Sequence, residues 1–198
     1  MSTHFQHAEK STFYFVTFTC YRWLYLIEKT QAYDYLPGWI REMNKRGVIN
    51  CGYVFMPNHI HLLVYVEDWS KGLNHVLGEA KRFLAYEIVT RLKKQNETEI
   101  LRVLSNGVQE NERKKGKKHQ VFRLSFDGKE VVGEEEIYKV LDYIHHNPVS
   151  GKWNLADDYL DYEYSSARFY EFGEIGNVEI CHYKDVTEAH GGLRVSCG

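Results

Sequence analysis

The chain has 198 residues, 43% of them hydrophobic and 15% aromatic, and a formal net charge of −2 at pH 7. A chain of this length and composition can bury a sizeable core, so we expect one folded domain and exclude an intrinsically disordered protein. No apolar run has the length of a membrane-spanning helix, and Met1 is not followed by the charged and apolar regions of a secretory signal. These features predict a soluble, cytoplasmic protein that does not contact a membrane.

The first elements are predicted from the periodicity of apolar residues. Alternating aromatic and β-branched residues predict a strand over Thr12–Cys20. Apolar residues at helical spacing predict a helix over Lys29–Arg46, in which Pro37 could introduce a kink. Two further apolar stretches, Val48–Met56 and His59–Val66, are separated by two turn-forming residues and predict a β-hairpin.

The second half of the chain continues this alternation of helices and strands. An amphipathic pattern predicts a long helix over Ser70–Lys94, whereas the polar stretch Gln95–Gln120 has no sustained period and predicts a mobile insertion or loop. A fourth strand is predicted over Val121–Phe126, with a turn and a return strand over Lys129–Val132. Glu134–Asn147 has apolar residues at helical spacing and predicts a last helix.

Two histidines occupy alternate positions of the predicted third strand, in the stretch MPNHIHLLV at residues 56–64. Successive side chains of a strand point to opposite faces, so His59 and His61 share one face while Ile60 and Leu62 point into a core. Adjacent imidazoles on a rigid strand are typical of a metal site. A histidine on a strand is nevertheless more often a packed or surface residue, so the pair alone leaves both interpretations open.

A second polar group lies at the end of the last predicted helix, in the stretch YIHHNPV at residues 143–149. Tyr143 and Asn147 are four residues apart, so one face of the helix carries a phenol and an amide oxygen together. His146 lies three residues from Tyr143 and also near that face. It is therefore the alternative to Asn147 as a metal ligand.

These two blocks resemble those of the HUH single-tyrosine transposases of bacterial insertion sequences, and most closely the REP-associated tyrosine transposases, which act on repetitive extragenic palindromes. The stretches FVTFTCYR at residues 15–22 and DYEYSSA at residues 161–167 also match. The resemblance spans Phe13 to Phe172. We therefore divide the chain into a transposase domain over residues 1–172, with a basic insertion at about 95–120, and a C-terminal extension over residues 173–198.

The resemblance implies an α+β fold, a ferredoxin-like or RRM-like palm with a mostly antiparallel sheet and helices on one face. It implies that His59, His61 and Asn147 bind a divalent metal, Mg²⁺ or Mn²⁺, and that Tyr143 is the nucleophile. The implied activity is cleavage and rejoining of single-stranded DNA near palindromic hairpins through a 5′-phosphotyrosine intermediate. Composition alone does not separate Tyr143 from its neighbours in the chain, which are Tyr138, Tyr159, Tyr162 and Tyr164.

Positive charge is concentrated in the middle of the chain. Residues 79–119 contain eleven Lys and Arg against six Asp and Glu, whereas residues 120–198 contain seven against fifteen. A charge run of this kind is usually a solvated loop, but a polyanionic substrate makes contact with phosphate groups an equal alternative. The candidate DNA-binding residues are Lys81, Arg82, Lys114, Lys115, Lys117 and Lys118.

Two other functions are compatible with these motifs. A relaxase or replication-initiator nickase uses the same chemistry, although its tyrosine typically precedes the histidine motif. A hairpin DNA-binding protein that no longer cuts is the second alternative, and the intact tyrosine and histidines argue against it. The expected partner in each case is single-stranded or hairpin DNA, with the protein as a monomer or homodimer in the cytoplasm, associated with the nucleoid when bound to DNA.

Overall fold

A computed structural model of the protein describes residues 12–67, 72–124 and 127–188. Within these ranges the chain forms four β-strands and eight α-helices. The strands are β1 Thr12–Thr19, β2 Val48–Met56, β3 His59–Val66 and β4 Asp127–Val131. The helices are α1 Leu26–Lys29, α2 Leu36–Asn44, α3 Leu73–Lys94, α4 Thr98–Asn106, α5 Glu110–Lys114, α6 Glu134–His146, α7 Ala167–Phe172 and α8 Tyr183–Glu188.

The four strands form one antiparallel sheet in the order β2-β3-β1-β4. Strand β3, which carries the histidine pair, is therefore a central strand with neighbours on both sides. Helices precede β2 and follow β3, so the path of the chain is that of a ferredoxin-like palm. The predicted α+β class is confirmed, as are the bounds of the β2-β3 hairpin and its two-residue turn.

The two faces of the sheet are covered by different helices. Ile60 and Leu62 belong to a buried cluster with residues of α2 and α3, as the predicted palm requires. On the opposite face Leu63 is buried in a cluster with Leu141 and Ile144 of α6. Helix α6 approaches β2 closely at Gly52, because a Cβ atom there would lie only 2.6 Å from Leu141 Cδ2. The helix that carries Tyr143 thus lies on the histidine face.

The helix predicted over Lys29–Arg46 is divided in the structure. It consists of the short helix α1, a 3-10 turn at Ala32–Asp34 and the longer helix α2. Pro37 lies in the first turn of α2, where its missing N–H costs no hydrogen bond and its fixed φ suits the start of a helix. The proline therefore begins a helix, and the predicted kink within one helix is wrong.

The predicted insertion Gln95–Gln120 is largely helical, because it contains α4 and α5. Leu104 of α4 is fully buried in the cluster formed by α2 and α3, and its carbonyl accepts a hydrogen bond from the Gln120 backbone N–H at 2.9 Å. The prediction of a loop is wrong because tertiary packing stabilises a helix whose apolar period is too short to be seen in the sequence.

The predicted hairpin after this insertion is also wrong. Phe122 forms an isolated bridge with Cys20, and β4 pairs with residues further back along β1. The two segments therefore follow one another along the same edge of β1 and do not fold back on each other. Asp127 and Gly128, interpreted from the sequence as a turn, are strand residues. Ser125 and Phe126 lie outside the described residues, as does the predicted helix start at Ser70.

The C-terminal extension contacts the domain over the part that the structure describes, residues 173–188. Val178 and Ile180 are buried in the core, and the Cys181 backbone N–H donates to the Asn50 carbonyl at 2.9 Å. Helix α8 follows. Across the described parts of the chain, we find no helix with the length and apolarity needed to cross a membrane.

Candidate active site

The histidine pair lies at the start of β3, directly after the Pro57-Asn58 turn. His59 and His61 are each 5% exposed, and their ring centroids are 4.7 Å apart. In β1, Thr19 is paired with His59 and Thr17 with His61. The strand alternation therefore brings both imidazoles to one face, as the sequence predicts.

Hydrogen bonds around Asn58 determine the tautomer of His59. The Asn58 amide nitrogen donates to the Trp23 carbonyl at 3.1 Å, which turns the Asn58 oxygen toward His59 Nδ1 at 2.7 Å. An amide oxygen can only accept, so Nδ1 of His59 carries the proton. Its Nε2 therefore presents a lone pair, and it faces Asn147 Oδ1 at 3.3 Å.

His61 is held in a comparable way. Its Nδ1 lies 2.8 Å from the Thr17 hydroxyl, which can accept a hydrogen bond from it. In that tautomer Nε2 carries a lone pair and lies 3.5 Å from the Tyr143 hydroxyl oxygen. Phe15 stacks on the imidazole with a centroid distance of 5.2 Å, which fixes the plane of the ring.

Both imidazoles are neutral at physiological pH. Burial lowers the pKa of His59 to about 4; the hydrogen bond that a protonated ring would donate to Asn147 opposes this shift, and the positive charge of Lys152 assists it. Burial lowers the pKa of His61 to about 3, and the neighbouring His59 adds to the effect. A neutral imidazole is the form that binds a metal ion, so these nitrogens are available as ligands without the loss of a proton.

Helix α6 brings Tyr143 and the adjoining Asn147 to the histidine pair. Tyr143 is 51% exposed, and its ring lies 5.2 Å from the His61 ring and 5.8 Å from Phe15. Asn147 is 9% exposed and caps the C-terminus of α6. The hydroxyl group of Tyr143 is therefore both close to the histidines and accessible to a large substrate.

The alternative ligand His146 and the alternative tyrosines have other partners in the structure. His146 Nδ1 lies 3.0 Å from the Asp142 carbonyl oxygen and 3.1 Å from its carboxylate, and its ring packs against Tyr159 at a tilt. The other tyrosine rivals are engaged as well: Tyr138 contacts Tyr183, Tyr162 donates to the Phe55 carbonyl, and Tyr164 stacks on Tyr33.

The donor atoms of the site fit a divalent cation. His59 Nε2 and Asn147 Oδ1 are both lone-pair donors in the tautomer that Asn58 fixes, and they face each other across 3.3 Å with no proton to share. A cation bound by both atoms would compensate the two lone pairs, whereas contact with an apolar group would not. The described residues contain no cluster of three or more His, Cys, Asp or Glu side chains suited to a metal. Asn147 Oδ1 is therefore the further protein oxygen that could join the two histidines as a metal ligand.

A basic groove lies on the other face of the sheet, between α3 and the segment 112–124. It encloses about 710 Å³. Its positively charged lining residues are Lys81, Arg82, Lys93, Lys115, Lys117, Lys118 and Arg123, and Glu112 is the acidic residue that the structure places among them. Arg123 lies at the end nearest the histidines, because its backbone N–H donates at 2.9 Å to the carbonyl of Thr19, the strand partner of His59.

Five of the six predicted DNA-binding residues line this groove, and Lys114 does not. Lys114 is instead paired with Glu110 at 3.1 Å on the exposed face of α5. Within the groove, Lys81 Nζ donates to the Arg123 carbonyl at 2.6 Å, and Arg82 pairs with Glu79 at 3.1 Å. The Lys115 side chain is 73% exposed, so the groove is open to solvent.

The structure adds residues that the sequence did not single out. Asn58 and Thr17 orient the two imidazoles, and Lys152 is close enough to lower the pKa of His59. Trp23 and Trp153 flank the His59 ring at 6.1 and 5.9 Å. A sequence signal exists for Asn58, which is part of the MPNHIH block, and for Thr17, which is part of the FVTFTCYR stretch. Trp23, Lys152 and Trp153 reach the site through tertiary structure.

Comparison with known proteins finds similarity among solved structures. No protein-family model and no curated protein match this sequence. Among solved structures, the chain is similar to a REP-associated tyrosine transposase bound to a REP hairpin, with a TM-score of 0.53 and 18% sequence identity. The match covers 99% of this chain and 99% of that one. A likeness at this identity shows a shared fold.

Proposed function

We propose that the protein is a metal-dependent tyrosine DNA transposase that cleaves and rejoins single-stranded DNA beside hairpins. The observation that carries the proposal is the convergence of Tyr143, His59, His61 and Asn147 on one patch of the sheet, with contacts of 3.5 and 3.3 Å. The solved structure that shares the fold is a tyrosine transposase in complex with a hairpin. That a tyrosine transposase has this fold supports the same class of reaction here.

In this proposal the Tyr143 oxygen attacks the phosphorus of a DNA phosphodiester. The bond from phosphorus to the 3′ oxygen breaks, a 3′-hydroxyl leaves, and the 5′-phosphate stays on the tyrosine. The phenol proton passes to water, since half of the side chain is exposed, and the leaving 3′ oxygen takes up a proton from water. The phosphotyrosine bond conserves the free energy of the broken linkage, so strand rejoining needs no ATP.

His59, His61 and Asn147 would hold the divalent ion, Mg²⁺ or Mn²⁺. When bound, the ion supplies positive charge next to the phosphate oxygens and stabilises the charge that develops during attack. The contribution of the protein is orientation. Asn58 and Thr17 hold the imidazole planes, and α6 holds the tyrosine and the amide together.

The basic groove would hold the hairpin or its flanking strand. Seven Lys and Arg side chains line it, which offsets the unfavourable net charge of −2 for the whole chain. Its end at Arg123 lies beside the strand pair that carries His59. Nucleic acid seated in the groove would therefore have a short path around the edge of β1 to Tyr143.

A cleavage assay with labelled DNA tests the proposal. Hairpin-bearing single-stranded DNA, labelled at either end, is incubated with the protein and with Mg²⁺, Mn²⁺ or excess chelator. We expect the fragment on the 3′ side of the cut to migrate with the protein under denaturing conditions, and the other fragment to be free. Two free fragments would indicate hydrolysis by water, and binding without cleavage would indicate the hairpin-binding alternative.

A further inference from the structure

Three aromatic side chains form a patch beside the His59 ring. Trp23 lies 6.1 Å from the His59 ring, Trp153 lies 5.9 Å from it, and Tyr25 lies 5.6 Å from Trp153. Trp23 is 51% exposed and Tyr25 is 45% exposed. Trp153 is partly buried and packs against the core cluster of the histidine face, whereas the exposed rings of Trp23 and Tyr25 leave apolar area in water.

The backbone that presents Trp23 is held in an unfavourable conformation. Arg22 and Trp23 have φ angles of 54° and 58°, in the left-handed region that residues other than glycine rarely adopt. The surrounding structure enforces this turn: the Asn58 side chain donates to the Trp23 carbonyl at 3.1 Å, and the Cys20 N–H donates to the Asn58 carbonyl at 2.8 Å. Such local strain is concentrated at functional sites.

Positive charge accompanies these rings. The Lys152 ammonium group lies 5.1 Å from the centre of the Trp153 ring, next to the same site. An aromatic surface with an adjacent cation is the combination that binds single-stranded nucleic acid, because each base has a π-face and each nucleotide carries a phosphate. In a duplex the base faces are already stacked and unavailable.

We propose that Trp23, Tyr25 and Trp153 form a stacking platform for unpaired bases next to the scissile phosphate, and that Lys152 contacts the neighbouring backbone. The inference rests on the proposed function, because the bases that the platform binds are those adjoining the phosphate that Tyr143 attacks. The platform selects single-stranded over double-stranded DNA at the cleavage position. It lies on the opposite sheet face from the basic groove, which binds phosphates irrespective of base pairing.

A double-mutant cycle between protein and DNA tests the platform. All proteins carry Tyr143→Phe to prevent cleavage, and binding to a hairpin with a single-stranded flank is measured by fluorescence anisotropy. Trp23→Ala should weaken binding by about 5- to 150-fold, the range for one lost base stack. Trp23→Phe should keep most of the affinity, because a phenyl ring still stacks.

The DNA side of the cycle consists of flanks in which one base at a time is replaced by an abasic site. At one or two positions the abasic site should weaken binding to the protein with Trp23 intact, and the same change should have no further effect in Trp23→Ala. Trp23→Leu, which keeps apolar bulk without an aromatic face, should behave like Trp23→Ala. Phe172→Ala is the matched control, since Phe172 is 58% exposed and contacts Arg168 instead of the site.

The outcomes separate the two proposals. Binding that is equal in Trp23→Ala, Trp23→Leu and the protein with Trp23 intact overturns the platform and leaves the proposed function standing. The same abasic profile with and without Trp23 also overturns it, because a purely structural role of Trp23 would lower affinity at every position alike. A protein that binds no single-stranded DNA at all contradicts both the platform and the proposed function.

Discussion

The candidate active site and the basic groove lie on opposite faces of one sheet, and their polar groups are held in different ways. In the site, the imidazoles are buried, neutral and fixed by hydrogen bonds from β1 and the β2-β3 turn. In the groove, the charged side chains are exposed to solvent. Glu79 and Glu112 form ion pairs with only some of them. A rigid neutral site suits chemistry at one atom, whereas an exposed charged groove suits binding of nucleic acid irrespective of its sequence.

This contrast predicts that the two regions can be damaged independently. Substitution of the histidines should remove cleavage with little change in DNA affinity. Substitutions in the groove should weaken DNA binding with little change in the cleavage of bound DNA.

Loss of either histidine should have the largest effect. His59→Ala or His61→Ala should lower the metal-dependent cleavage rate on the order of 1,000-fold or more, because several kcal/mol of charge stabilisation depend on the bound ion. Asn147→Ala should cause a smaller loss. His146→Ala is the matched control, since its ring contacts Asp142 and Tyr159. Full activity in a histidine variant, or in excess chelator, would exclude the metal mechanism.

The groups that orient the imidazoles should come next. Thr17→Val keeps the shape of the side chain but removes the hydroxyl that lies 2.8 Å from His61 Nδ1. Loss of such an orienting partner typically lowers metal affinity or activity about 10- to 100-fold. The measurement is cleavage rate against Mn²⁺ concentration. A curve that coincides with that of the wild type would show that Thr17 has no orienting role.

In the groove, replacement of Lys115, Lys117 and Lys118 by Gln should weaken DNA binding and reduce its dependence on salt. Each lost phosphate contact lowers the slope of log affinity against log salt by about 0.7 to 0.9. Lys114→Gln removes the same charge outside the groove and is the control. Cleavage of bound DNA should continue. An unchanged slope in the triple variant would assign these lysines to a solvated surface.

The buried histidines should also make stability depend on pH. The pKa values of His59 and His145 are lowered to about 4 and that of His61 to about 3, in each case mainly by burial. Because the unfolded chain binds protons below its ordinary histidine pKa of about 6.5 and the folded chain does not, the stabilisation is present above that pH and is lost as the pH falls toward 4.

Between pH 7 and 5.5 each of these histidines should reduce the free energy of unfolding by about 1 kcal/mol. Urea unfolding at the two pH values measures the total. His145→Gln should lower the pH dependence of stability without affecting the metal site, since His145 Nε2 bonds to Ser166 at 2.9 Å. An equal pH dependence in the variant would mean that His145 titrates normally in the folded protein.

The sequence predicts the histidine face well, because strand alternation is a local property. The bounds of β3 and the shared face of His59 and His61 follow from a period of two residues. The shared face of Tyr143 and Asn147 follows from their spacing of four residues on a helix with about 3.6 residues per turn. Whether Asn147 or His146 faces the histidines depends on the rotation of α6 over the sheet, and only the structure decides it.

The groove and the aromatic patch are much less accessible from sequence. The groove forms because residues near position 81 and residues near position 118 approach each other across the sheet edge, a contact that no local pattern encodes. Trp23 is presented by a left-handed turn at residues other than glycine, which composition does not predict. The sequence predicts a turn at Asp127 and Gly128, because that dipeptide is common in turns, but pairing with β1 overrides the preference.

The central claim is that Tyr143 is the nucleophile, and peptide mapping of the covalent adduct tests it most directly. Wild-type protein is incubated with hairpin-bearing single-stranded DNA and Mg²⁺ or Mn²⁺, denatured, and digested with nuclease and protease. The account predicts a 5′-phosphonucleotide on the peptide that contains Tyr143, and DNA binding without an adduct in Tyr143→Phe. An adduct on Tyr138 or Tyr159, or cleavage in the Tyr143→Phe variant, would contradict the account.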